Sequence, residues 1–133
     1  MLVDYEFYKT HCDEYGKEQA LEASSFSQFS YKAQMYLNMR TFGRINRKFD
    51  KFSSELQKTV KDCICSLAEI IYEEKSTHTP THIHSEKVAD YSVTFSSPEE
   101  IKKEYNERKN ETVIEYLYDT NLLYAGVLSD VYE

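Results

Sequence analysis

The sequence predicts a mainly α protein, a small helical bundle carrying an extended loop or short β arm at about residues 76–96. Three observations lead there. Apolar residues recur at helical spacing along most of the chain, helix-start signals stand before several of these runs, and three glycines with two prolines are too few for the many tight turns of a sandwich or barrel. At 133 residues the chain fits one domain, 1–133, with one core. A hydrophobic content of 41% against 29% charged residues is that of a folded globular chain.

The elements follow in order. Asp4 is placed to cap a short helix over residues 5–14 that Gly16 ends, turning Phe7 and Tyr8 inward and Glu6 and Asp13 outward. Ser25 and Gln28 have the form of a capping box and predict a helix over about 26–41, with Phe26, Phe29, Ala33, Tyr36 and Leu37 at helical spacing and Gly43 as its stop. Phe42, Ile45, Phe49 and Phe52 continue that spacing while Arg44, Arg47, Lys48 and Lys51 take the other face. So short a segment in mid-chain reads as an amphipathic turn packed on the core with a wet basic edge, rather than as a membrane-surface helix.

Ser54 and Gln57 repeat the capping-box form, and Leu56, Val60, Cys63, Ile64, Leu67, Ala68 and Ile71 make the stripe of a central core helix reaching about Lys75. Residues 76–87 are polar, contain Pro80 and read as a loop. Tyr91, Val93 and Phe95 alternate with Ser92 and Thr94, the period of a short strand or extended arm. Ser97, Pro98 and Glu100 combine an N-cap, a first-turn proline and a capping-box acid. They open a last helix that runs through Ile101 and Tyr105 to about Leu117, its weakly apolar middle at 106–112 expected to be exposed or subunit-facing. Leu122, Leu123, Tyr124, Val127, Leu128 and Tyr132 make an apolar tail that needs a surface, on its own domain or on another chain. No internal repeat or low-complexity tract interrupts this order.

A net charge of −7 argues against a dedicated nucleic-acid binder, because phosphate contacts draw on clustered Lys and Arg. The charge is uneven. Residues 1–22 carry six acids and two bases, residues 40–51 five bases and one acid, and residues 110–133 five acids and no base. Patches of opposite sign on one small protein suit head-to-tail packing of identical subunits. Twelve tyrosines and seven phenylalanines point the same way, since tyrosine buries a large ring at an interface while keeping a polar tip. The N-terminus lacks a basic region followed by an apolar run, and nowhere do about 18 apolar residues follow one another, so a soluble protein made in a cytoplasm is expected.

Three groups of side chains have the chemistry for a site. His78, His82 and His84 share one loop and could converge on a transition metal, but no second ligand pair stands at a matching spacing. A polar loop whose histidines change its charge near pH 6.5 is the stronger reading. Cys63 and Cys65 project about 200° apart on a helix and lie in an apolar run, so with Cys12 they read as reduced core thiols. Glu69, Glu73 and Glu74 read as a solvated helix end rather than general acids. Glycines at 16, 43 and 126 make no phosphate-cradling loop, dinucleotide fingerprint or nucleophile elbow, so neither an enzyme nor a cofactor is expected.

Four stretches in order resemble the head-tail connector, or head-completion adaptor, proteins of tailed bacteriophages and prophages, and together they span nearly the whole chain. The first runs from Lys32 to Ile45 and closes on Thr41-Phe42-Gly43-Arg44-Ile45, with Asn38 where the family usually has an acid. The second, Val60 to Glu74, is similar to the family's core helix in its Ala68-Glu69 and Tyr72-Glu73-Glu74. The third, Ser85 to Phe95, is similar to the family's arm, with Ala89 in place of glycine. The fourth runs from Asn121 to Val127, with Ala125 where a basic residue is common.

The resemblance implies a helical bundle whose copies form a ring beneath the portal protein. That ring extends the DNA channel, enclosing DNA without reading its sequence, and receives the stopper or tail-completion protein in the virion neck. The arm at 76–96 would reach a neighbour, and a free chain that stays monomeric before meeting its portal fits the same picture. Interface candidates on charge and motif position are Arg40, Arg44, Arg47, Lys48, Tyr91 and Tyr124. The competing reading from another class is an acidic regulatory module of a phage or bacterium that binds one protein through its tyrosine-rich surface. A metal-dependent enzyme using the loop histidines ranks third.

Overall fold

Helix α4 (Ser54–Thr77) is the axis of the fold, and α1 (Tyr5–Glu14), α2 (Ala23–Arg40) and α5 (Pro98–Leu117) all pack on it. Between α2 and α4 the chain makes the short helix α3 (Arg44–Lys48) and a 3-10 turn over Phe49–Lys51. The computed structural model describes residues 2–77 and 97–123, and these are helices and turns with no strand among them. The protein is thus mainly helical, as its composition and periodicity predict. The strand expected around Tyr91, Val93 and Phe95, His78, His82 and His84, and the tail beyond Leu123 lie outside the described residues.

The central position of α4 follows from its side chains. Val60, Cys63, Ile64, Leu67 and Ala68 are fully buried, while Leu56 and Ile71 at the ends of the stripe are partly so. Asp62 and Cys65, off that stripe, are buried as well, because α1 covers a second side of the helix. Phe26, Phe29, Ala33 and Leu37 of α2 and Val113 and Leu117 of α5 complete the same core. Each fully buried Leu, Val or Phe side chain contributes roughly 1.5–3 kcal/mol relative to its exposed state.

Helix ends show where local signals hold. The Asp4 carboxylate accepts from the Phe7 amide at 2.8 Å and starts α1. Ser97 and Glu100 make the complete reciprocal box that starts α5, with Pro98 in the first turn. Two starts differ from expectation. α2 begins at Ala23, after an extended Glu22 whose carbonyl takes the Ser25 and Phe26 amides, so Ser25 sits inside the first turn and caps nothing. Leu21 and Phe26 instead occupy the positions of a hydrophobic staple, and both are buried in the core. α4 is capped by Ser53, whose hydroxyl accepts from the Leu56 amide at 3.1 Å, rather than by Ser54. Gln57 reaches back to the carbonyls of Phe49 and Phe52.

Past α5 the chain turns at Asn121, which takes a φ of +66°, and returns Leu122 to the core with no exposed surface. The first apolar residue of the tail therefore folds back on its own domain.

Candidate functional site

The junction of α2 and α3 carries four of the residues that charge and motif position single out, Arg40, Arg44, Arg47 and Lys48. α2 closes in a Schellman motif, in which the Gly43 amide donates to the Asn38 carbonyl at 2.8 Å and the Phe42 amide to that of Met39 at 3.2 Å. The left-handed position that usually holds glycine is filled by Phe42, at φ +60°, and Gly43 follows at φ +79°. Gly43, expected as the stop itself, is thus the second of two left-handed residues. A Cβ on it would stand 3.4 Å from the Arg47 guanidinium, which crosses the turn to donate to the carbonyls of Phe42 and Gly43.

Arg44 departs from expectation. The spacing puts it on a wet basic edge, yet it is buried and its guanidinium donates to the Leu122 carbonyl at 3.0 Å and to that of Asn121 at 3.4 Å. Carbonyls that end a chain segment inside the protein need donors, and a planar guanidinium can serve two at once. Arg44 therefore ties the end of the described chain to the start of α3. Half-buried Arg40 donates to Asn110 of α5 and to the Tyr36 hydroxyl. Arg47 remains exposed and Lys48 partly exposed. Tyr91 and Tyr124, the remaining candidates, lie outside the described residues.

Exposed apolar side chains reveal a surface that periodicity alone does not. Phe42, expected inward with Ile45 and Phe52, is 50% exposed. Tyr31, Met35 and Met39 are exposed too, Met39 at 65%, and they follow one another every four residues on the side of α2 opposite Ala33 and Leu37. α2 is thus apolar on both faces, and such a helix is ordinarily covered on both. Between Glu22 and Asp50 the sequence has no acid, so the charged residues of this stretch, exposed Lys32 and Arg47 among them, are all basic. On α5, Ile114 and Tyr118 are exposed at successive turns, Tyr118 at 74%, beside exposed Glu111, Glu115 and Asp119.

Of the acids at the end of α4, Glu73 is exposed as expected of a solvated helix end, Glu69 and Glu74 are partly buried, and all three pair with bases. Glu69 accepts from the Tyr8 hydroxyl and from Lys17, each at 2.7 Å. Glu73 pairs with Arg108 at 2.9 Å and accepts from Tyr105, while Glu74 pairs with Lys109 at 3.2 Å. The Arg108 guanidinium, then the Tyr105 hydroxyl, hold the Glu73 carboxyl below its usual range. Arg108, Lys109 and Asn110 thus face inward, so part of the weakly apolar middle of α5 is a polar seam to α4 and α2. An open cleft of about 470 Å³ beside this seam is lined by Lys17, Glu69, Glu73 and Arg108, whose charges pair with one another.

Beneath α1, His11 is fully buried and its Nδ1 lies 2.9 Å from Asp62 Oδ1, while Asp62 also takes a hydrogen bond from Lys58. Burial pushes the imidazole below its usual pKa against the opposing pull of Asp62, so His11 is neutral, donates through Nδ1 and leaves Nε2 without a partner. Burial pushes the Cys63 and Cys65 thiols far upward, and all three cysteines are free and buried. Among the described residues, no group of three His, Cys, Asp or Glu side chains is placed to hold a metal ion.

Together these elements define a mainly helical bundle with exposed apolar side chains on α2 and α5. No family model, no curated protein and no solved structure matches the chain.

Proposed function

We propose that this protein is a structural subunit of a phage or prophage head-tail connector, one copy in a ring between the portal and the tail. The observation that carries the reading is the place of the first connector-like motif. Lys32 to Ile45 forms the second half of α2, the left-handed turn and the start of α3, where inward residues anchor the fold and outward Met35, Met39 and Phe42 are left to meet another surface. A surface motif that combines exposed methionine, phenylalanine and arginine is suited to binding protein, since these residue types are enriched at interface cores. The other connector-like stretches support the reading by their order along the chain, and the uneven charge supports it by giving each copy faces of opposite sign.

On this reading the protein works by binding, with the portal on one side and a stopper or tail-completion protein on the other, and no chemical step is assigned to it. The test is sedimentation of the assembled portal of the same phage through a density gradient with and without this protein. Comigration at a fixed ratio to the portal is expected. A chain that stays at the top of the gradient beside an intact portal would exclude the role.

A further inference from the structure

Among the described residues, the exposed large hydrophobic side chains are seven, and six fall into the two strips on α2 and α5. Tyr31, Met35, Met39 and Phe42 lie in a segment without acids, and Ile114 and Tyr118 in a segment without bases after Lys109. The strips lie on different helices, and the sequence around the first carries only bases while that around the second carries only acids.

We propose that the outer face of α2 in one copy docks on the outer face of the C-terminal half of α5 in the next copy. This contact rests on the connector reading and names the faces through which subunits would meet. Like patches repel: two α2 faces would bring Lys32 and Arg47 against their equivalents, and two α5 faces would oppose Glu111, Glu115 and Asp119. The unlike pairing covers apolar side chains on both partners and sets bases against acids. It is also heterologous, the contact type that builds rings rather than closed dimers. Phe42 adds a second argument. Its left-handed backbone serves the turn that closes α2, but half of its surface stays in water, and a neighbour covering the ring would bury apolar area that the single chain leaves exposed.

The test uses two variants of the full chain. Met35→Glu/Met39→Glu breaks the α2 face, and Ile114→Lys/Tyr118→Lys breaks the α5 face; circular dichroism checks that each retains the helicity of the parent. Sedimentation velocity is run at low salt up to about 1 mM protein, a concentration at which even a weak contact is half occupied. The parent is expected to be monomeric when dilute, as a chain that needs its portal to close a ring would be, and at about 1 mM to form species larger than a dimer that dissociate as salt is raised, while each variant alone remains a monomer. An equimolar mixture is expected to stop at one-to-one pairs, because only one intact face survives on each partner. A parent that is monomeric throughout overturns this contact yet leaves portal binding to be judged by its own gradient. Association that survives the α5 changes but not the α2 changes also overturns it, placing another α2 face or residues 124–133 on the stripe.

Discussion

Phe42 shows at the scale of one residue how the structure weighs strain against use. A left-handed backbone costs a residue with a Cβ about 1–2 kcal/mol, and here it falls at a half-exposed position where the ring lies against the Arg44 guanidinium. Replacing Phe42 by glycine removes the strain, whereas alanine keeps it and loses the ring. In urea unfolding Phe42→Gly should therefore be more stable than Phe42→Ala by about 1 kcal/mol. Equal stabilities would mean that the turn relaxes and holds no strain. His11 gives a second test. Its folded pKa lies below the ordinary value near 6.5, so as pH falls through that value the unfolded chain takes up a proton first. Stability present at neutral pH should then decline below about pH 6.5. His11→Asn keeps a donor for Asp62 and removes the titration, so its stability should vary less between about pH 5 and 6.5. An unchanged slope would assign the pH dependence to other groups.

At the scale of elements, caps separate what was legible from what was not. The start of α5 could be read directly, because Ser97, Pro98 and Glu100 satisfy one another through contacts within a single turn. The starts of α2 and α4 could not. Serines stand in runs there, and whether one of them caps, as Ser53 does at α4 and none does at α2, goes with where buried Leu21 and Phe52 enter the core, a tertiary fact. Ser53→Ala and Ser97→Ala should each cost about 1 kcal/mol in thermal or urea unfolding, while Ser25→Ala and Ser54→Ala should stay within about 0.5 kcal/mol. The reverse order would restore the local reading. The core stripe of α4 was legible because a 3.6 period marks one face, and the apolar run around Cys65 marked it as a core thiol, but burial of Asp62 was not legible, since covering by α1 leaves no local trace. Consistent with that covering, Cys12, Cys63 and Cys65 should resist an aromatic disulfide reagent in the folded protein and react on unfolding. Rapid labelling in the native state would contradict a closed core.

At the scale of the molecule, α4 is covered by α1, α2 and α5, and the inner seams are closed by charged pairs such as Glu73 with Arg108 and Glu74 with Lys109. Such pairs contribute little individually, but they consume much of the charge at the α4–α5 boundary and leave the outer faces to differ in sign. The polarity of the chain was visible in the distribution of acids and bases. The α2 stripe was not, because the search for a helical period finds the stronger inward set of Phe26, Phe29, Ala33 and Leu37 and passes over methionines on the far side. The clue available was the spacing of Tyr31, Met35 and Met39 within a segment free of acids. Nor could spacing show that Arg44 turns inward, since its partners are carbonyls of Asn121 and Leu122, far along the chain.

The central claim, a connector subunit that joins a portal, is tested most directly by negative-stain electron microscopy of the portal of the same phage mixed with this protein. A ring of added density at one end of the portal is the expected result. A correctly assembled portal with no added density in the presence of excess protein would contradict the claim.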